Sequence, residues 1–513
     1  MPPPLYAADT EPCIPVRFLD GHQEDLGLRE VLVRAHLIED LALPLPPAAS
    51  AALRILAAIA ARTTGLDNPE MSAGKWAAHR RDLLKKPHGL DPGAVHDYFD
   101  RHIWGLFHPA RPLLQDPRLA TQCEEPAGVN KLVFGRPEGN NLAWLSPHTD
   151  TDPQPVPTAQ ALWHLLIHHY YGAAGKWPVR TVDGRRISKA LAGPLRSTLS
   201  FHPLGRSLYE TLLAGIPKPA DDWPQADDHC PWEEPELPDP LAPPAPVTWP
   251  GRLLTGRSSH AVLLIPSPDG QHVTNAYLTW GTQDKLPAAD PFLIHHVDTS
   301  KPVTQRHRPR RADADRALWR DLDALLLAGD ENAAVQRPQA FTTLNELPPG
   351  LRAQLRVRVH GFDQDGRTDN RTWYTALTPP IWPWTQEHDP PTAQRIAECR
   401  KEAEAIGELL EKVSQDAWRA LTAAGASGRA PRRLPSWTKH ARTAYWPRAE
   451  AVFWQLLKDR DRDARAAFAA EAVAVLQDVT RPAIARHFEA ARAVARAVTR
   501  LRRRPRTAGR RSA

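Results

Sequence analysis

The most constraining feature of this sequence is an unbroken apolar stripe near its C-terminal end. Apolar residues return at steps of three or four at Ile396, Cys399, Ala403, Ile406, Leu410, Val413, Ala417 and Leu421. This spacing places them on one face of an α-helix of about seven turns. Because a helix with such a face is not stable alone in water, other amphipathic helices have to cover the stripe.

Three further amphipathic segments follow before the chain ends. Their apolar positions are Val452, Phe453, Leu456 and Leu457; then Phe468, Ala472, Val475 and Val479; then Ile484, Phe488, Ala491, Val494, Ala495, Val498 and Leu501. We place Pro482 in the first turn of the last helix, where proline is tolerated. Four amphipathic helices with short connections predict a four-helix bundle.

The longer N-terminal part mixes helical and strand patterns. Helical or apolar stretches cover 28–41, 48–61, 160–172 and 204–215. Two hairpins are expected, one from strands 261–265 and 273–278 and one from a period-two strand at 351–362 that returns at 372–377. In the second hairpin Leu355, Val357 and Val359 predict a buried face, and Arg356, Arg358 and His360 a basic one.

These patterns predict an α+β protein, in which a large mixed α/β N-terminal domain is followed by a C-terminal four-helix bundle. Prolines at 379, 380 and 383 end the sheet region. The predicted regions are a mixed domain at 1–388, the bundle at 389–504 and a basic disordered tail at 505–513.

Charge is distributed unevenly along the chain. The 513 residues carry a net charge of +6, but 391–513 hold 26 Lys or Arg and 13 Asp or Glu, a net of +13. Residues 217–250 hold eight acids, one lysine and eleven prolines, which predicts an acidic loop or linker without regular structure. The basic C-terminal region predicts a surface for a polyanion such as nucleic acid, although ordinary solvation of charge explains the same composition.

The last predicted helix carries arginines at steps of four, four and three, which we call the basic ridge: Arg492, Arg496, Arg500 and Arg503. This spacing puts them on one outward face. We expect the ridge to contact DNA phosphates, and a merely solvated face is the alternative.

Composition and cysteine usage suggest a folded protein of a reducing compartment. Hydrophobic residues make up 42% and charged residues 24%, close to average for soluble globular proteins. The cysteines Cys13, Cys123, Cys230 and Cys399 are each more than a hundred residues apart, which fits neither a disulfide framework nor a zinc motif. No apolar run is long enough to span a bilayer. We expect a cytoplasmic protein without a metal or another cofactor.

Signals of enzymatic chemistry are weak. His164 and His168 lie four residues apart on one predicted helix, with His148 and Asp150 upstream, so a metal-dependent hydrolase is the alternative function. The helix lacks the glutamate of an H-E-x-x-H motif. The string from Gly172 to Lys176 is only half a phosphate loop, and it follows a helix rather than a strand.

Several strings, taken in order, closely resemble the CasA family, the large subunits of the type I-E CRISPR surveillance complex Cascade. They are EPCIPVRFLDG at 11–21, RPLLQDPRL at 111–119, GVNKLVFGRPEGNN at 128–141, WLSPHTD at 144–150, ALWHLLIHHYYG at 161–172 and GPLRSTLSFHPLGRSLYETLL at 193–213. The resemblance spans nearly the whole chain, and it implies this fold.

The resemblance implies a binding protein of antiviral defence and not an enzyme. In the family, base pairing to a CRISPR guide RNA reads the sequence, while the large subunit recognises a protospacer-adjacent motif (PAM) on target double-stranded DNA. It also assists strand opening and R-loop formation, and it helps recruit a helicase-nuclease. The implied partners are guide RNA, target DNA, the backbone and small subunits of Cascade, and that helicase-nuclease.

Site residues are implied by position. The loop that contacts the 5′ handle of the guide RNA matches Gly128, Val129, Asn130 and Lys131. The glycine loop at the PAM matches Gly172, Ala173, Ala174 and Gly175. The wedge that separates the first target base pair matches Gln364, Asp365 and Gly366. DNA phosphate contacts are expected from Arg356, Arg358 and the basic ridge. Family members also use a lysine on a hairpin near the glycine loop, but 261–278 contains none, which leaves Arg257 and Lys285 as candidates.

Overall fold

The computed structural model of the chain describes residues 6–137, 146–219, 226–256, 258–286, 290–302, 306–327, 334–364, 370–422 and 436–503. The chain divides into two compact units. The first contains residues 1–315 and 329–383, and the second contains 316–328 and 384–513.

The first unit is built around α2, a helix that is buried on nearly all sides. Small alanine side chains over most of its length let neighbouring elements pack closely against it. The helices described in this unit are α1 (Leu28–Val33), α2 (Pro46–Thr64), α3 (Ala73–Leu84), α4 (Pro92–Asp100), α5 (Leu119–Gln122), α6 (Val129–Leu132), α7 (Thr158–Tyr171), α8 (Leu208–Gly215), α9 (Gly251–Thr255) and α11 (Pro349–Gln354). Helix α10 (Leu322–Leu326) belongs to the second unit.

The described strands form small antiparallel sheets in the orders β2-β1-β3, β4-β9-β8, β5-β6, β11-β10-β12 and β14-β13-β7. Their bounds are β1 (Ile14–Phe18), β2 (Gln23–Leu26), β3 (Ile38–Leu41), β4 (Val156–Pro157), β5 (Gly175–Val182), β6 (Arg185–Ala190), β7 (Leu199–Leu204), β8 (His260–Pro266), β9 (His272–Trp280), β10 (His295–Val297), β11 (His307–Pro309), β12 (Val335–Gln336), β13 (Arg356–Gln364) and β14 (Asn370–Leu377). Both predicted hairpins are confirmed, as β8-β9 and β13-β14.

Two predictions in this unit were partly wrong. The helix expected over 28–41 ends at Val33, and Ile38–Leu41 is a strand that pairs with β1. The period-two strand begins at Arg356 instead of 351, and its second half, from His360 to Gln364, is buried on both faces. The reason is that β13 is the central strand of its sheet, between β14 and β7.

The acidic segment is a loop, as predicted, but it is not a free linker. Residues 226–250 contain neither helix nor strand. The Arg62 guanidinium lies 2.9 Å from the Glu233 carboxylate and 3.0 Å from that of Asp228. Arg111 donates to the backbone carbonyls of Glu234 and Pro235. Arginines from elsewhere in the unit therefore hold the acidic loop against it.

The second unit contains the four predicted helices, α12 (Pro390–Thr422), α13 (Ser436–Lys458), α14 (Ala464–Ile484) and α15 (Phe488–Arg502). The stripe on α12 is buried from Ile396 to Ala417, which confirms the bundle. The last helix begins at Phe488, and Pro482 lies near the end of α14 instead of in the first turn of α15. The buried residues of α15 are Ala490, Val494, Ala497 and Leu501, while Phe488 is 78% exposed.

The second unit also includes 316–328, a segment that the sequence analysis placed with the first domain. It contains the short helix α10 (Leu322–Leu326). The Trp319 ring packs 4.7 Å from that of Phe453, and the Arg320 guanidinium lies 3.4 Å from the centre of the Trp446 ring. In the described part of the chain, no helix has the length and apolar composition needed to cross a membrane.

Candidate nucleic-acid interface

The predicted guide-handle loop forms the start of α6. Gly128 precedes this helix with a φ of +96°, and a Cβ there would meet nothing within 4 Å, so its backbone is open to a ligand. Asn130 is 5% exposed, and its amide donates to the Thr149 carbonyl (2.9 Å) and the Asp150 carboxylate (3.1 Å). Val129 is buried as well. The expected RNA contacts of these two side chains are therefore not supported by their positions.

Lys131 connects this loop with the glycine loop. Its ammonium lies 4.9 Å from the centre of the Trp177 ring, a cation–π contact. The Trp177 indole N–H in turn donates to the Ala173 carbonyl at 2.9 Å. Two segments that are about forty residues apart in sequence are thus held together.

The glycine loop, residues 172–175, joins α7 to β5. At Gly172 a Cβ would lie 2.5 Å from the His260 ring and 2.7 Å from the His168 carbonyl, so internal packing already requires glycine there. Gly175 has a φ of +140°, and nothing lies within 4 Å of a Cβ at that position. The open backbone of this loop is therefore at Gly175, and Gly172 serves close packing.

Gln364 lies at the base of the predicted wedge instead of at its tip. It is the last residue of β13, 5% exposed and paired with Asn370. Its backbone carbonyl accepts from the Ser197 hydroxyl at 2.6 Å. Asp365 and Gly366 lie outside the described residues. The position of Gln364 within the unit does not support insertion by this side chain, and the wedge assignment of the hairpin stays a prediction.

A cluster that the sequence did not reveal joins the glycine loop to the wedge hairpin. The carbonyl of Tyr171, directly before Gly172, accepts from the Arg196 guanidinium (2.9 Å) and the Gln364 amide (3.4 Å). Ser197 has a φ of +61°, a backbone conformation that costs a residue other than glycine about 1–3 kcal/mol. We call Tyr171, Arg196, Ser197 and Gln364 the Tyr171 junction. Arg196 and Ser197 lie in one of the family-like strings, but no motif spacing marks them.

Both arginines of β13 that were expected to contact phosphates make contacts within the protein. The Arg358 guanidinium lies 2.6 Å from the carboxylate of Asp40, with its side chain 18% exposed. Arg356 donates from Nε to the Thr378 carbonyl at 3.0 Å. Because the ion pair offsets the Arg358 charge, the position of Arg358 does not support the expected phosphate contact.

The basic ridge is exposed along α15, as its spacing predicts. The Arg500 guanidinium lies 2.7 Å from the Asp416 carboxylate. Among the described residues, Arg492 and Arg496 have no ion-pair partner. The first two arginines of the ridge are therefore uncompensated within the described part of the chain, and Arg503 follows directly after the end of the helix.

The four residues of the proposed metal site serve other contacts or lie apart. The His164 ring accepts from the Phe134 backbone N–H at 3.3 Å, and burial lowers its pKa to about 3. His168 donates from Nε2 to the Leu132 carbonyl at 2.9 Å, and burial lowers its pKa as well. Asp150 accepts from Asn130. In the part of the chain that the structure describes, no three His, Cys, Asp or Glu side chains are grouped to hold a metal, and His148 joins no such group.

A protein-family model matches most of the chain. The model of CRISPR-associated protein Cse1 aligns with residues 10–487. The chain belongs to the Cse1 family. A curated Cse1-family relative, the CRISPR-associated protein CasA/Cse1 of Thermus thermophilus, is 27% identical over 468 residues, which cover 87% of this chain and 84% of the relative.

Solved structures agree with this membership in the Cse1 family. One chain of a CRISPR RNA-guided surveillance complex is 40% identical, with a TM-score of 0.86 over 97% of this chain and 100% of its own length. A chain of a CRISPR RNA-guided surveillance complex in a pre-nicking state is 39% identical, with a TM-score of 0.78 over 97% of this chain and 99% of its own length.

Proposed function

We propose that this chain is the PAM-recognising large subunit of a type I-E RNA-guided DNA surveillance complex. It binds the target duplex, helps to open the strands so that an R-loop forms, and contributes to recruitment of the helicase-nuclease. Its other partners are the guide RNA and the backbone and small subunits. Membership in the Cse1 family and the likeness to chains of RNA-guided surveillance complexes support the assembly in which the chain acts.

The Tyr171 junction is the observation that carries the mechanism. It bonds the glycine loop, which we assign to the DNA groove, to the base of the hairpin that we assign as the wedge. A duplex that seats against the backbone near Gly175 therefore presses on an element fastened to the wedge hairpin. Recognition of the PAM and separation of the first base pair become parts of one rigid arrangement.

The function is recognition without chemistry by this chain's own side chains. The two helix histidines of the alternative metal site, His164 and His168, are buried and bonded to the backbone. The remaining candidate surfaces consist of open glycine backbone and exposed cations, which suit phosphates and duplex grooves.

The wedge assignment predicts a selective loss of strand opening. In the assembled, guide-loaded complex, Gln364→Ala with Asp365→Ala is expected to slow opening of the first target base pair by about tenfold. The variant removes the Gln364 amide that bonds the hairpin to the Tyr171 carbonyl, together with a polar side chain of the proposed wedge turn that would offset unstacking of a few kcal/mol. Opening is followed by fluorescence of a base analogue at that position. Guide loading should be unchanged.

A control variant alters the turn of the other hairpin, Asp269→Ala with Gln271→Ala, where both side chains are exposed. It should open targets at the parent rate. If the Gln364 and Asp365 variant also opened them at that rate, the wedge assignment would be wrong.

The basic ridge predicts a change in salt dependence without a change in PAM preference. Each phosphate contact contributes about 0.9 to the slope of log affinity against log salt. Arg492→Gln with Arg496→Gln should therefore reduce the slope by about two. Arg500→Gln should add little, since Asp416 already neutralises Arg500. A slope equal to that of the parent would assign the ridge to ordinary solvation.

A further inference from the structure

The strand that follows the glycine loop carries an unusual pair of like charges. In the two-stranded sheet, Lys176 on β5 is the direct cross-strand partner of Lys189 on β6. Directly opposed side chains of a sheet lie about 5 Å apart, and like charges there are destabilising. Both lysines are exposed.

Neither lysine is compensated by the protein. In the described part of the chain, no carboxylate forms an ion pair with either ammonium. On the same ribbon, Arg186 does have a partner, the Glu124 carboxylate. The repulsion between the Lys176 and Lys189 ammonium groups is therefore not offset within the described part of the chain. A bound anion would offset it.

The place of the pair in the fold points to the ligand. Lys176 directly follows Gly175, whose open backbone allows close approach. The Lys189 carbonyl accepts a hydrogen bond from the Gln283 amide at 3.0 Å, which fixes the backbone beneath the second lysine. Two ammonium groups on a braced ribbon beside an open loop suit backbone phosphates.

We propose that Lys176 and Lys189 form a phosphate clamp for the target duplex beside the glycine loop. This inference rests on the proposed function, because the glycine loop brings the duplex to the ribbon. Duplex DNA is favoured over guide RNA because the handle loop contacts Trp177 through Lys131, and the buried Trp177 and the exposed Lys176 are neighbours on β5, so their side chains face opposite sides of the ribbon.

The test measures binding of assembled, guide-loaded complex to PAM-bearing duplex at several salt concentrations. Lys176→Gln with Lys189→Gln should reduce the salt slope by about two, at about 0.9 per phosphate. The matched control, Lys75→Gln with Lys86→Gln, removes two exposed lysines of the same unit and should keep the parent slope.

A second variant separates binding from folding. Lys189→Glu places opposite charges across the strands, so the melting temperature should not fall while duplex affinity drops at least tenfold. An unchanged salt slope in the double glutamine variant would overturn the clamp. Loss of guide loading with intact duplex binding would also overturn it, by assigning the pair to RNA. If duplex binding by the parent complex did not depend on the PAM, the proposed function would be contradicted. The salt slopes of the parent and of the double glutamine variant would still decide whether the two lysines bind phosphates.

Discussion

Replacing Asp290 with alanine is expected to lower the free energy of unfolding of this Cse1-family chain by about 3–5 kcal/mol. Asp290 forms an ion pair with Arg54 at 3.0 Å, and the two side chains are 1% and 0% exposed. Without the Asp290 carboxylate, the guanidinium of Arg54 on α2 stays buried and positively charged with no counter-charge. Urea unfolding followed by circular dichroism measures the loss.

The same variant should also affect the sheet formed by β7, β13 and β14. Arg54 donates to the Ser200 hydroxyl on β7 at 2.9 Å, and β7 pairs with β13 along its length. The ion pair therefore supports the sheet that carries the hairpin proposed as the wedge.

A double variant is the control for this prediction. Arg54→Met with Asp290→Leu removes both charges and should recover most of the stability, because a buried pair is often replaceable by apolar residues. If Asp290→Ala alone cost less than about 1 kcal/mol, the unpaired charge would have found solvent, and the description of the α2 core would be incorrect.

Mild acid is expected to destabilise the first unit through its buried histidines. Burial lowers the pKa of His164 to about 3, of His260 to about 4 and of His360 to about 3. Burial also lowers the pKa of His168 and His202 well below the ordinary value. These rings stay neutral in the folded chain while they become protonated in the unfolded chain below about pH 6.5.

The direction of the change in stability with pH follows from the protons that the unfolded state binds. Between about pH 6.5 and pH 4 the unfolded state binds more protons, so stability is complete above about pH 6.5 and falls as the pH is lowered. At pH 5.5 each of His164, His260 and His360 costs on the order of 1 kcal/mol relative to neutral pH. His168 and His202 act in the same direction.

The measurement is the free energy of unfolding in urea at about pH 7.5, 6.5 and 5.5, a range in which carboxylates with ordinary pKa values stay ionised. Stability should decrease by several kcal/mol, and unfolding at the lowest pH should take up several protons. Equal stability at the two ends of this range would show that these rings are solvated or already charged.

The parts of the fold that follow from local periodicity were predictable. The stripe from Ile396 to Ala417 repeats a helical period, and burial of that face confirms it. The turn at 266–270 has the residues of a tight reversal, and the hairpin formed around it. For α15 the sequence predicted a buried face that is only partly the observed one, because alanines on several faces of the helix make neighbouring stripes equally apolar.

The candidate site depends on contacts between distant parts of the chain, which periodicity does not encode. Tyr171, Ser197 and Gln364 meet although long segments separate them. Arg358 looked like an exposed cation until its partner Asp40, on β3, was located. Segment 316–328 joins the second unit through aromatic contacts and through ion pairs with Glu404 and Arg400. The segment is too short to show a repeat.

The central claim is that the complex obtains its choice of PAM and its first opened base pair from this chain. The most direct measurement compares guide-loaded complexes assembled with and without it, on a library of duplexes that differ only at the PAM, scoring binding and opening together. We expect a graded PAM preference and opening only when the chain is present. Equal PAM choice and equal opening without it would contradict the account.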